Sequence, residues 1–139
     1  MSSRSSAGGT NPGKGRYVSR SYLIAVVDDD DSFRMALAES LHLAGYDTRE
    51  YASAEAFMAG DEEAPSDCVI TDIRMPGMSG LELSHLLASR TPPVPVIMVT
   101  AVAGPNLRTK AAASGSVCVL KKPFEADALI DCLRRALER

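Results

Sequence analysis

From Ser21 onward, short apolar runs alternate with segments of helical periodicity. Residues 22–27 read YLIAVV, apolar apart from the Tyr22 hydroxyl, as expected of a strand covered on both faces. Phe33, Leu37, Leu41 and Ala44 then recur at helical spacing after Ser32, and Gly45 is a stop signal. Asp47–Tyr51 predicts a second, weaker strand, and Ser53 can cap a short helix carrying Phe57 and Met58. Residues 61–65 read as a loop. Residues 68–71 form the third run, which ends at Asp72. Ser79 and Glu82 have capping-box spacing ahead of Leu81, Leu83, Leu86 and Leu87. Pro92, Pro93 and Pro95 lead to a fourth run, 96–99, which ends at Thr100. Gly104 and Pro105 can open a fourth helix that Gly115 closes. The fifth run, 117–120, ends at Lys121 and Lys122, and a last helix carries Ala126, Leu129, Ile130, Leu133 and Leu137 on one stripe.

Five strand–helix pairs in strict alternation imply an α/β fold, a doubly wound parallel sheet with helices on both faces. Right-handed crossovers leave few ways to wind it. Ligands of such sheets bind at the carboxyl ends of the strands. Residues 1–20, rich in Ser, Gly and Arg and without periodicity, are expected to be a flexible tail; residues 21–139 are expected to form one domain.

Charge and cysteine content narrow the function classes. Residues 1–27 hold Arg4, Lys14, Arg16 and Arg20 with no acid, whereas the rest holds 11 basic and 18 acidic residues. Four charges make a thin basic tail, and the acidic domain, with no Trp, argues against a nucleic-acid surface. No apolar run is long enough to span a membrane, and no secretory leader pattern stands at the N-terminus. Cys68, Cys118 and Cys132 lack metal-ligand spacing and read as small apolar core side chains in a reducing cytosol. A cytoplasmic location is therefore expected.

The strand ends carry the candidate chemistry. The first run ends in Asp28, Asp29, Asp30 and Asp31, the third in Asp72, the fourth in Thr100 and the fifth in Lys121 and Lys122. Polar strand ends are ordinary one at a time, but this combination converging on one sheet edge is not. Carboxylates brought close must take up a proton or a cation. An all-oxygen donor set suits a hard ion, Mg²⁺ or Mn²⁺. A carboxylate flanked by a metal and an ammonium is suited to attack phosphorus, because both neutralise the transferring group.

The segment from Thr71 to Glu82, TDIRMPGMSGLE, resembles the phosphoacceptor loop of bacterial two-component response regulator receivers. Val27-Asp28-Asp29, Val99-Thr100-Ala101 and Lys122-Pro123-Phe124 extend the resemblance in the same order, across about residues 22–138. It implies a flavodoxin-like (βα)5 sheet of strand order 2-1-3-4-5. It also implies that Asp72 accepts a phosphoryl group from a sensor histidine kinase or phosphotransfer protein. Asp29 and Asp72 resemble direct metal ligands, Asp28 a ligand through water, and the Arg74 backbone carbonyl a further ligand. Thr100 resembles the hydroxyl that bonds the arriving phosphoryl group. Lys122 resembles the amine paired with the acceptor; Lys121 competes for that role, but the adjacent Pro123 favours Lys122, whose bond to Pro123 is cis in the family. Asp30 and Asp31 are expected to face solvent at the start of the first helix. The resemblance leaves open a homodimer through the fourth helix, fifth strand and fifth helix.

One position departs from the family pattern: Val119 stands where receivers usually carry Tyr or Phe, which puts the family's route of signal output in doubt. A flavin-binding module is disfavoured by four aspartates where a phosphate would sit. An aspartyl-nucleophile phosphatase is disfavoured by Arg74, which takes the place of its acid/base Asp. A receiver-like module used only for protein contacts remains the other alternative. The sequence ends at Arg139 with no output domain after the last helix, as in a single-domain regulator or an excised fragment.

Overall fold

The computed structural model describes residues 21–63, 65–101 and 104–138, so the expected tail lies outside the described residues. Strands and helices alternate as β1 (Leu23–Val27), α1 (Asp31–Leu43), β2 (Asp47–Tyr51), α2 (Ala54–Gly60), β3 (Cys68–Asp72), α3 (Gly80–Ala88), β4 (Val96–Thr100), α4 (Pro105–Ala113), β5 (Cys118–Lys121) and α5 (Ala126–Leu137). All strand pairs are parallel, in the order β2-β1-β3-β4-β5, as expected. The register sets Val27 beside Thr71 and Asp72 beside Val99, so β1, β3 and β4 end at a common level.

The period-two alternation of a strand sends neighbouring side chains to opposite faces. Ile24, Val26, Ile70, Ile97 and Val99 meet Leu37 and Leu41 of α1 and Leu129 and Leu133 of α5 on one face. Ala25, Val27, Val69 and Met98 meet Phe57 of α2, Leu83 and Leu87 of α3 and Ala111 of α4 on the other. Each fully buried Leu, Ile or Phe contributes about 1.5–3 kcal/mol from its removal from water. The caps aim the helices. The Asp30 carboxylate accepts from the Phe33 N–H at 3.1 Å, and Ser79 and Glu82 form the predicted capping box at α3. Pro105 opens α4, and the Ser53 side chain caps α2.

One feature goes beyond the sequence reading and another differs from it. Asp61, assigned to a loop, is buried, accepts from Arg90 Nη1 at 2.6 Å and takes the Ser66 N–H at 3.0 Å. It thereby ties the loop after α2 to the loop after α3. The cysteines are the second case. Cys68 is a buried apolar side chain as expected, its thiol pushed up to about 12 by burial. Cys118 and Cys132, expected to be the same, are paired as a disulfide between β5 and α5 with their Cα atoms 6.1 Å apart. The turn from β5 back along α5 faces the two side chains towards each other.

Candidate functional site

The strand ends converge as the pattern required. Asp28 follows β1, Asp72 ends β3, Thr100 ends β4 and Lys122 follows β5. Oxygens of Asp28, Asp29 and Asp72 all lie within 4.8 Å of one another. Asp28 and Thr100 are buried, Asp72 is partly buried, and Asp29 is exposed. This is an oxygen-only donor set with one open side, which fits a hard divalent cation and not a thiolate or imidazole-seeking metal.

Lys122 spans two of the acids. Its Nζ lies 2.8 Å from Asp28 Oδ2 and 3.4 Å from Asp72 Oδ2. The lysine expected beside the acceptor-like carboxylate is therefore shared, and sits closer to Asp28. The same ammonium lies 3.9 Å from the Phe33 ring centroid, and Phe33 meets Phe124 edge-on with centroids 6.0 Å apart. These aromatic walls fix the lysine's course. The Lys122 N–H donates to the Thr100 carbonyl at 2.7 Å, which holds the chain beside β4, and the bond to Pro123 is cis as the resemblance implies. Lys121, the rival, is exposed.

Asp28 and Asp72 each have a local backbone holder. Asp28 Oδ1 accepts from the Asp30 N–H at 2.9 Å, and Arg34 Nη1 donates to the Asp28 carbonyl at 2.8 Å. Asp72 Oδ1 accepts from the Arg74 N–H at 3.4 Å. Burial raises the Asp72 carboxyl above its ordinary value; Lys122 opposes this and the Asp28 charge adds to it. For Lys122, burial works against the charge, but the bond to Asp28 and the attraction of Asp72 and Asp28 prevail and raise it. Three carboxylates face one ammonium, and this excess of negative groups favours a bound cation.

The loop after β3 is built on close approaches. The Gly80 N–H donates to the Ile73 carbonyl at 2.9 Å, and a methyl at Gly80 would overlap the Asp72 carbonyl oxygen. Gly77 has φ 78°, a left-handed turn suited to glycine. Glu55 of α2 reaches across to accept the Met78 N–H at 2.8 Å, which lowers its carboxyl below the usual range. The sequence reading missed Glu55, Arg34 and Phe33. Glu55 looks like any acid in a first helical turn, and Phe33 and Arg34 look like one core and one surface position of α1.

The family model for the response regulator receiver domain matches residues 24–134. The chain is 37% identical over 116 residues to the C4-dicarboxylate transport transcriptional regulatory protein DctD of Rhizobium meliloti, covering 84% of this chain and 25% of that protein. It is 34% identical over 117 residues to the transcriptional regulatory protein FixJ of the same organism, covering 84% of this chain and 57% of that one. The chain thus spans about a quarter to just over half the length of these relatives. The FixJ-N crystal structure superposes with a TM-score of 0.79 at 33% identity, covering 87% of this chain and 97% of that one. Chemotaxis protein CheY4 of Vibrio cholerae superposes with a TM-score of 0.77 at 29% identity, covering 85% of this chain and all of that one.

Proposed function

The chain belongs to the response regulator receiver domains of two-component signalling, and on that premise we propose that Asp72 accepts a phosphoryl group from a sensor histidine kinase or phosphotransfer protein in a Mg²⁺-dependent reaction. The observation that supports this most strongly is the triad of carboxylates within 4.8 Å with one lysine shared between Asp28 and Asp72.

In this reading a carboxylate oxygen of Asp72 attacks phosphorus of the donor phosphohistidine. The P–N bond breaks, its electron pair leaves with the imidazole, and an acyl phosphate forms on Asp72. Lys122 lies alongside as a held ammonium and offsets charge on the phosphoryl oxygens. The Thr100 hydroxyl, buried at the end of β4, donates to one of those oxygens once the group has arrived. A Mg²⁺ or Mn²⁺ ion bound by Asp29 and Asp72, by Asp28 through water and by the Arg74 carbonyl would supply the remaining neutralisation. Arg34 and the Asp30 N–H orient Asp28, and Glu55 keeps the loop that follows Asp72 in place.

The domain so assigned is 21–139. A cytoplasmic location follows from partnership with a kinase domain; no described helix is long and apolar enough to cross a membrane. A homodimer through α4, β5 and α5 is part of the same proposal, and the domain itself binds no nucleic acid. Incubation with acetyl phosphate and Mg²⁺ should add one phosphoryl mass to the intact protein, and a chelator should prevent it. Equal uptake with and without chelator would overturn the metal-dependent mechanism.

A further inference from the structure

We propose that Cys118 and Cys132 form a reversible redox site that oxidation by a low-molecular-weight disulfide closes, fastening α5 to β5. The inference does not rest on the phosphorylation reading. Cys118 begins β5 opposite Ile97 of β4, at the other end of the strand from Lys121 and Lys122.

Three observations carry it. The Cα atoms of the pair are 6.1 Å apart, within the range that a disulfide spans without backbone movement. The guanidinium of Arg135, one helical turn beyond Cys132, places Nη2 3.1 Å from Cys118 Sγ and 3.5 Å from Cys132 Sγ. A finished disulfide carries no charge and needs no cation; a thiolate, the form that attacks a disulfide, is favoured by one. Third, α5 is held without the bridge, because Leu129, Leu133 and Ala136 already pack on the sheet.

The step balances as two exchanges. The Cys118 thiolate attacks one sulfur of oxidised glutathione, the glutathione S–S bond breaks, and one glutathione thiolate leaves, giving a mixed disulfide on Cys118. The Cys132 thiolate then attacks the Cys118 sulfur and expels the second glutathione. The two protons released by the protein thiols are taken up by the two leaving thiolates. Cys118 attacks first because it is the more exposed of the pair, at 9% against 2%, and the nearer to Arg135. Opening of the last turns of α5 admits the oxidant. Cys68 is a buried free thiol and is a built-in control.

The full chain should be equilibrated across reduced and oxidised glutathione mixtures, quenched with a thiol alkylator under denaturing conditions, and weighed intact. Two of the three labels should be lost together and regained on the reducing side, with peptide mapping placing both losses at Cys118 and Cys132. Oxidation should slow hydrogen exchange in α5. C132S should stop at a glutathione adduct on Cys118, and Arg135→Ala should slow bridge formation several-fold, with Arg135→Lys restoring part of the rate. Three labels at every mixture, or a bridge that survives the most reducing one, would overturn the proposal. Wild-type protein alone decides that point, so a variant that fails to fold does not obscure it.

Discussion

Gly80 is the position where a single methyl group tests how the fold aims the site. It opens α3, and a Cβ built there overlaps the Asp72 carbonyl oxygen and lies 3.0 Å from both the Asp72 carbonyl carbon and Ile73 Cα. All three are backbone atoms, so no side chain can rotate to make room. Restoring ordinary contact moves α3 or the end of β3 by roughly 1 Å, and such overpacking costs about 1–3 kcal/mol. Alanine recovers at most about 1 kcal/mol through helix propensity, and less at a first-turn position. A net loss of about 1–2 kcal/mol is expected for Gly80→Ala, or roughly 5 °C in melting temperature for a domain of this size. Because the displaced atoms belong to Asp72, the rate of phosphoryl uptake should fall by about tenfold or more. Thermal melts and time-resolved intact mass with acetyl phosphate and Mg²⁺ read both. Gly104 has nothing within 4 Å of a built Cβ, so Gly104→Ser is the control and should leave the melt and the rate near wild type. Wild-type melting and uptake in Gly80→Ala would show that the close approach at Gly80 does not position Asp72.

Other outcomes follow from the charges. The Asp72 carboxyl is raised in the fold, so its charge disfavours the folded state above that raised value and the penalty fades as pH falls through it. Asp72→Asn should therefore melt higher than wild type at pH 7 in chelator, with the gain shrinking near pH 4; a lower melt at pH 7 would contradict the assignment. Lys122 is raised, so its contribution is present below the ordinary lysine range and lost as pH rises through the raised value. Lys122→Ala leaves buried Asp28 without its cation and should cost about 2–3 kcal/mol at pH 7 and slow phosphotransfer, whereas Lys121→Ala should do little. Millimolar Mg²⁺ should raise the wild-type melting temperature by mass action, and Asp29→Ala should reduce that shift; an indifferent melt would count against the metal site.

The central strands β1, β3 and β4 were legible because they are short, apolar and buried, so composition marks them without any knowledge of partners, whereas β2, polar and largely exposed, gave only a weak signal. The site was legible for a related reason: in a parallel sheet every strand ends at the same edge, so Asp28, Asp72, Thr100 and Lys122 could be brought together from order alone. What escaped depends on tertiary detail. Asp61 and Arg90 pair across 29 residues through two irregular loops, which no periodicity reports. Glu55 serves a backbone N–H rather than a patterned side chain. Cys118 and Cys132 lie on different elements, and pairing follows from the turn between them, not from their spacing. The preference of Lys122 for Asp28 over Asp72 is a matter of 0.6 Å, below anything a sequence encodes. Val119 is partly buried against the α2, α3 and α4 face of the core, and as a short β-branched side chain it cannot make the inward swing an aromatic ring makes.

The central claim, that Asp72 carries the phosphoryl group, is tested most directly by locating it. Wild-type protein treated with acetyl phosphate and Mg²⁺ is reduced with borohydride, which converts an aspartyl phosphate to homoserine, then digested and sequenced by mass. Homoserine is expected at position 72 and at no other aspartate, Asp28 and Asp29 included. Homoserine at another position, with Asp72 unchanged, would contradict it.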